Sequence, residues 1–373
     1  MSYTKSVYDK IWPVNQTKDK RLKVAVGLSG GVDSAVSAYL LKKQGYEVTG
    51  VYLKCWDEGP ECQAREDRKD ALAVAMKLDI PVKVLDFEKE YRGRVIDRFY
   101  EAYKRGLTPN PDVWCNSEIK FGLFLDWAKS EGFDKIGTGH YARKEKTDEG
   151  YKLLRPEDKG KDQTYFLHQL NQDQLEMTLF PLGEKEKNWV REKAREIDLP
   201  VAGKKDSQGI CFVGDVDVQE FLRRRLEEER GEVVNTKGER IGVHQGVWFY
   251  TIGQRGGWQI DGEFQQNYQG EMPVFYVIDK DVENNKLIVG EREELGTRRF
   301  RVGDLSWIRE LDDELSDKNL KVRIRNLGEL VDCNVDMGEE LVVEAEEGLE
   351  GVACGQAAVF YLNDECLGGG VIK

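Results

Sequence analysis

Through its first third the chain alternates short apolar runs with longer stretches of helical periodicity. Residues 22–26 are an apolar run with the β-branched content of a buried strand. Residues 35–44 follow with Val36, Tyr39, Leu40 and Lys43 at helical spacing, and Gly45 acts as a stop. The same alternation predicts strands over 47–53, 81–87 and 135–138, and helices over 66–78, 91–105 and 119–130. Ala71, Leu72, Ala75 and Leu78 form the apolar stripe of the helix over 66–78. Such alternation builds a parallel sheet covered on both faces, with ligands held beyond the carboxyl ends of its strands. The glycine-rich turn after residue 26, Leu53 and Gly139-His140 all fall at those ends, which implies one pocket.

Two further helices are predicted over 188–197 and 218–229. Beyond Gly231 the texture changes to short β-rich runs broken by glycines and polar turns: 248–252, 274–279, 286–289, 320–325, 341–345, 357–362 and 369–372. That spacing predicts small β-barrels rather than more α/β layering. The fold class is therefore α/β, a parallel-sheet domain followed by two small β-rich, barrel-like domains. The expected divisions are an extension over 1–21, an α/β domain over 22–217, a central β-rich domain over 218–291 and a C-terminal β-barrel over 292–373.

Composition narrows the class without naming it. A length of 373 residues accommodates two or three domains with cores of their own. Net charge is −13, which argues against indiscriminate polyanion binding but leaves room for a local basic face. No apolar stretch approaches the roughly 18 residues of a membrane span, and the first 21 residues lack the apolar core of a secretory signal. Cysteines stand at 55, 62, 115, 211, 333, 354 and 366 without a C-x-x-C pair, so a zinc ribbon or iron–sulfur site has little support. Reduced thiols of this kind fit a cytoplasmic protein.

The candidate chemistry begins in the turn between the first strand and helix: Gly27, Leu28, Ser29, Gly30, Gly31, Val32, Asp33 and Ser34. Strand, glycine-rich turn and helix together hold a phosphate on free backbone N–H groups at the positive end of a helix. A Walker loop needs a lysine that is absent here, and the glycine spacing is wrong for the dinucleotide fingerprint. The string SGGVDS instead resembles the SGGxDS signature of the PP-loop ATP pyrophosphatases, which cleave ATP between the α and β phosphates. The plainer alternative is a glycine turn with no ligand. In the PP-loop reading the glycines admit the phosphates closely, Ser29 and Ser34 add hydroxyls, and Asp33 holds a magnesium ion or a loop amide.

Two of the cysteines have turn-forming, polar surroundings. Cys115 follows Thr108-Pro109-Asn110-Pro111-Asp112-Val113-Trp114, a proline-stiffened loop opening a helix whose dipole favours a thiolate. Cys211 sits in Asp206-Ser207-Gln208-Gly209-Ile210-Cys211-Phe212. A single cysteine is more often a small core residue than a nucleophile, and Cys55, Cys62, Cys333, Cys354 and Cys366 are read that way.

SGGVDS, TPNPDVWCN-EIKFG, TGHYAR, KDQTYFL, KDSQGICFVG, YTIGQR and GQAAVFY occur in this order from residue 22 to the C-terminus. Together they resemble the tRNA-specific 2-thiouridylase family. The resemblance implies an enzyme, a tRNA-uridine 2-sulfurtransferase, that installs sulfur at C2 of the wobble uridine in tRNA(Lys), tRNA(Glu) and tRNA(Gln). ATP with magnesium adenylates the C2 oxygen and pyrophosphate leaves. By that resemblance Cys211 carries a persulfide from a sulfur-relay protein or cysteine desulfurase, and Cys115 is the nucleophile that releases the sulfur, leaving a Cys115–Cys211 disulfide. Gly27 through Ser34, Leu53 and Gly139 match the ATP site; Asn110, Pro111 and Asp112 match the target-base segment. His140, Lys161, Asp162, Gln163, Arg323, Ile324 and Gln356 match tRNA-contacting positions. The chemistry asks for this division of labour, because a uridine carbonyl is a poor electrophile until its oxygen becomes a leaving group.

Some positions depart from the family pattern: Leu53 for the usual Met, Trp114 for an aliphatic residue, Ser117 for a basic residue and Cys354 for Pro. Further phosphate contacts are sought in Arg223–Arg225, in Arg298, Arg299 and Arg301, and in Lys321 and Arg325. Three other functions compete: a small-molecule PP-loop ligase or amidotransferase, a cluster-dependent tRNA thiolase, and a non-enzymatic RNA-binding protein. Neither cysteine is essential in the first, the second wants a C-x-x-C, and the third leaves SGGVDS without work.

Overall fold

The computed structural model describes residues 21–58, 63–206, 209–214, 216–268, 270–311, 314–316, 319–338 and 340–373. Residues 1–20 of the expected extension and Cys62 lie outside the described residues.

The parallel sheet forms as the apolar runs predict. β1 (Lys23–Gly27) lies between β2 (Glu47–Lys54) and β4 (Lys135–Gly137), β3 (Val82–Asp86) flanks β2, and Thr178–Leu179 extends the other edge. All these pairings are parallel. Val24, Ala25 and Val26 are wholly buried because β1 is covered on both faces, which is why its run is continuous rather than alternating. The order β3-β2-β1-β4 reverses at β1, and the crevice for a ligand opens there, outside the carboxyl ends of β1 and β4.

α1 (Val32–Lys43) leaves β1 through the glycine turn, and α2 (Ala64–Lys77) joins β2 to β3. Two helical stretches carry an i→i+5 section: Arg92–Asp97 inside Glu88–Lys104, and Cys115–Leu123 inside Pro111–Ser130. Turns of this type concentrate at functional sites.

The second half is β-rich as expected, but it also holds strands Gly231–Asn235, Arg240–His244, Gly296–Trp307 and Val331–Met337 outside the expected runs, and two expected elements differ. Residues 248–252 are not a strand; Val247–Phe249 forms a 3₁₀ turn, with Val247, Phe249 and Tyr250 buried. An apolar run of that length does not by itself distinguish a strand from another buried segment. The helix expected over 218–229 ends at Arg223. Arg225 turns to Asp97 and Arg223 to Glu228, so the chain bends where the arginine run meets the glutamates.

A five-stranded sheet, dominated by Gly231–Asn235, Arg240–His244, Tyr276–Asp281 and Lys286–Gly290, forms the central unit. The last unit is a barrel closed by pairing of Gly296–Trp307 with Glu365–Ile372. A hairpin from the α/β half, Arg143–Thr147 with Gly150–Leu154, adds to this barrel by pairing Leu154 with Glu365 and Leu153 with Cys366. That hairpin fixes the barrel against the parallel-sheet half.

Candidate active site

The turn after β1 is a tight cradle at the start of α1. Gly30 has φ +77°, and a Cβ there would stand 2.4 Å from the Asp67 carbonyl oxygen, so only glycine fits. Ser29 N–H donates to Ser34 Oγ at 3.1 Å, Gly31 N–H to Ser29 Oγ at 3.3 Å, and Ser34 Oγ–H to the Gly31 carbonyl at 3.1 Å. The α1 N-cap, Gly31, brings no capping side chain, which leaves first-turn N–H groups to an anion. Gly139 closes the cradle from the β4 side, since a Cβ on it would lie 2.8 Å from Ser34 N. Leu53, at the end of β2, is buried in the same core cluster as Ala25, Cys55 and Cys115.

A charged network stands over the cradle. Lys187 donates to both oxygens of Asp33 at 2.7 Å, and the Tyr141 hydroxyl donates to Asp33 Oδ1 at 2.9 Å. Lys187 also reaches Asp206 at 2.8 Å, where Lys161 at 2.9 Å and Arg191 join it. Burial works against the Asp206 carboxylate, but hydrogen bonds from Lys187 and Lys161 outweigh it and bring its pKa down to about 2. A cleft of about 570 Å³ opens here, lined by Lys159, Lys161, Lys187, Arg191, Asp158 and Asp206 among others.

The two cysteines come together, although they are far apart in sequence. Asn110 caps the helical stretch by accepting from Val113 N–H at 3.4 Å, and Pro111 fills its first position. Cys115 stands one turn on and is fully buried. Cys211 is only half-buried, in a turn where Phe212 has φ +66°. Cys211 N–H donates to Asp112 Oδ1 at 2.9 Å, and the Tyr91 hydroxyl donates to the Cys211 carbonyl at 2.5 Å. Both cysteines are free thiols, and their side chains lie close enough to influence each other's charge.

One proton is easily lost from this pair, and it leaves from Cys211. The neighbouring Cys115 side chain favours its thiolate, burial opposes it, and the Lys120 charge favours it further, bringing the Cys211 pKa down to about 7. Burial pushes the Cys115 thiol up, and the neighbouring Cys211 adds to the rise. Asp112 is raised by burial.

Three consecutive residues after β4 connect the cradle to the sulfurs. Gly139 packs on the start of α1, His140 Nε2 lies 3.5 Å from Lys120 Nζ, and Tyr141 holds Asp33. Burial and the Lys120 charge keep His140 neutral, and its Nδ1 meets Thr138 Oγ1 at 3.0 Å. A second connection runs through Asp206, which Lys187 ties to Asp33 in the cradle five positions before Cys211.

The remaining expected positions divide. Gln356 lies beside the thiol loop, its Nε2 3.4 Å from the Pro109 carbonyl, and Gln163 accepts from Tyr141 N–H at 2.9 Å. Lys161 borders the cleft. Asp162, Arg323 and Ile324 are buried where the barrel meets the parallel-sheet half. Asp162 binds Arg155 at 2.8 Å and Arg323 at 2.9 Å, so these side chains join the two halves rather than face solvent. Lys120, Lys187, Tyr141 and Tyr91 were not singled out from the sequence; Lys120 lies in the EIKFG string, but a lysine on a helix face is ordinarily solvated.

Comparison with known proteins fits this geometry. Profiles described as a tRNA methyl transferase HUP domain, a tRNA methyl transferase PRC-barrel domain and an aminomethyltransferase beta-barrel domain match residues 22–215, 219–291 and 297–372. A Streptococcus uberis protein named tRNA-specific 2-thiouridylase MnmA is 44% identical over 362 residues, covering 95% of this chain and 96% of that protein. The chain belongs to the tRNA-specific 2-thiouridylase family. A second 2-thiouridylase, from Streptococcus pyogenes serotype M1, is 44% identical over 364 residues with the same coverage. Among solved structures, the U34-tRNA thiolase NcsA from Methanococcus maripaludis covers 49% of this chain and 59% of its own at 21% identity and TM-score 0.35, too distant to bear on the site.

Departures from the 2-thiouridylase pattern are accommodated locally. The Trp114 ring lies 4.1 Å under the Arg98 guanidinium, which holds it beside the thiol helix. The Cys354 carbonyl accepts from Thr108 N–H at 2.8 Å, so the barrel turn still grips the loop that leads to Cys115. Gly355, at φ +95°, makes that close approach feasible.

Proposed function

We propose that this chain carries out the reaction of its family, the ATP-dependent 2-thiolation of a uridine in tRNA. It is an enzyme, a tRNA-uridine 2-sulfurtransferase. The observation that carries the reading is the neighbouring Cys115–Cys211 pair, joined through residues 139–141 to a phosphate cradle. A methyl transfer, the word in the profile descriptions, needs neither a phosphate cradle nor two thiols in contact.

In this reading Gly27 through Ser34, Leu53 and Gly139 hold ATP, and Asn110, Pro111 and Asp112 receive the wobble uridine of tRNA(Lys), tRNA(Glu) or tRNA(Gln). The C2 oxygen attacks the α phosphorus, pyrophosphate leaves, and AMP becomes the leaving group at C2. Cys211 carries a persulfide taken from a sulfur-relay protein or cysteine desulfurase. Cys115 attacks Sγ of Cys211 as its proton passes to the terminal sulfur of the persulfide; the persulfide S–S bond breaks, and that sulfur departs with the electron pair as hydrosulfide. That sulfur adds to C2 and expels AMP. A Cys115–Cys211 disulfide remains and needs a cellular thiol reductant, in keeping with a cytoplasmic setting. Asp112 already accepts from Cys211 N–H, so a uridine N3–H uses its second oxygen or displaces the Cys211 turn. Lys161, Gln163, His140 and Gln356 border the tRNA path, while Asp162, Arg323 and Ile324 support it from within.

Magnesium fits only in a limited way. Among the described residues no three His, Cys, Asp or Glu side chains gather to hold a metal. Asp33, already held by Lys187, would be the carboxylate to offer it, with phosphate oxygens and water left to complete the shell. When bound, the ion shields phosphate charge. Replacing each cysteine by alanine tests the assignment: both variants should keep tRNA-stimulated pyrophosphate release and lose 2-thiouridine. A variant of either cysteine that still forms 2-thiouridine overturns it.

A further inference from the structure

Cys115–Leu123 is the unusual feature of the thiol helix, because it is wound with i→i+5 hydrogen bonds. In an ordinary α-helix, five residues advance about 500°, leaving position 120 roughly 140° around from position 115. The wider turn cuts that angle to less than its α-helical value and swings position 120 toward the Cys115 side. Gly122 permits the winding: a Cβ there would lie 2.9 Å from the Ser117 carbonyl oxygen, five residues back. The outcome is that Lys120 is half-buried on the Cys115 side of the helix, with its ammonium near the sulfurs.

We propose that Lys120 is a catalytic residue of the sulfur-transfer half of the reaction, its ammonium holding the negative charge on the sulfur of Cys211. This rests on the sulfur-transfer reading above. The Cys211 side chain is the acidic neighbour that favours the Lys120 charge most. The other neighbours of Lys120 are Cys115, Asp112, His140 Nε2 at 3.5 Å and the Phe212 ring at 5.8 Å. Burial works to discharge it, but the Cys211 and Cys115 sulfurs and the Asp112 carboxylate outweigh burial and keep it cationic. A lysine this enclosed stays charged only because acidic groups face it.

The charge serves sulfur loading. The Cys211 thiolate attacks the terminal sulfur of a donor persulfide, the donor S–S bond breaks, and the donor leaves as a thiolate. The departing donor thiolate takes up the proton of the transferred sulfur, so the protein gains a Cys211 persulfide anion beside Lys120. Only the thiolate begins this exchange, so the fraction ionised at neutral pH sets the rate.

The groups facing Cys211 are Lys120, Cys115 and Asp112 from the thiol helix, with Tyr91 on its carbonyl and Cys55 from the end of β2. The test is the pH profile of Cys211 alkylation by iodoacetamide in the full chain without ATP or tRNA, read on the Cys211 peptide by mass spectrometry. Lys120→Met should move the midpoint up by about one pH unit and slow alkylation at neutral pH about fivefold. Lys120→Arg should keep most of the wild-type profile. Lys120→Gln serves the same comparison should the methionine variant not fold. Cys115→Ala should also raise the midpoint, and adding Lys120→Met to it should raise it further. A Lys120→Met or Lys120→Gln profile that superimposes on wild type overturns the proposal. Because no tRNA is present, a failure of thiolation itself is read separately.

Discussion

Replacing Gly30 with alanine separates the phosphate cradle from the stability of the domain around it. Gly30 sits at φ +77°, where an L side chain costs about 1–2 kcal/mol. Its Cβ would also stand 2.4 Å from the Asp67 carbonyl oxygen, with Asp67 Cα and C at 2.8 and 2.9 Å. These are backbone atoms at the start of α2, so no rotamer relieves the overlap. Overpacking of this kind costs about 1–3 kcal/mol, for a total near 2–5 kcal/mol, which a domain of ordinary stability survives. The loop escapes by moving about 1 Å away from Asp67, and a shift of that size at a reacting centre costs about 100-fold in rate. The assay is tRNA-stimulated pyrophosphate release, with thermal melting alongside. Gly45→Ala is the control, because Gly45 has φ +93° with nothing within 4 Å. It should lose only the roughly 1–2 kcal/mol of the backbone term and keep its turnover. Full pyrophosphate release by Gly30→Ala, or equal loss in Gly45→Ala, would refute the reasoning.

Lys187→Met removes the shared cation between Asp33 and Asp206, worth roughly 1.5–3 kcal/mol as a charge-assisted hydrogen bond; the KM for ATP in pyrophosphate release should rise tenfold or more, and an unchanged value counts against its placement. The three histidines, His140, His168 and His244, are all held neutral by burial, His168 down to about 4. An unfolded chain takes up protons below pH ~6.5 that the fold refuses, so stability is complete above that pH and falls towards His168's pH ~4. At pH 5 His168 alone should cost ~2 kcal/mol, and urea denaturation of His168→Gln should lack that share of the acid loss.

The sequence made the parallel sheet, the cradle and the loops of Cys115 and Cys211 legible, because each depends on local pattern: a continuous apolar run, glycines at a turn, a proline-stiffened cap. What it hid depends on packing between distant segments. The hairpin 143–154 is mostly charged and polar, yet it adds to the barrel through Leu153 and Leu154. Arg323 and Asp162 read as surface charges and prove to be a buried pair between the two halves. Lys120 was concealed for a different reason. Helical periodicity at 3.6 residues turns it away from Cys115, and only the i→i+5 winding brings it back.

The central claim is that one site adenylates a uridine oxygen and replaces it with sulfur. Nucleoside mass spectrometry tests this directly on tRNA incubated with the full chain, ATP, magnesium and a protein persulfide. The account predicts 2-thiouridine, with one AMP and one pyrophosphate released per sulfur installed. ATP cleavage without any thionucleoside, or a methylated uridine in its place, would contradict it.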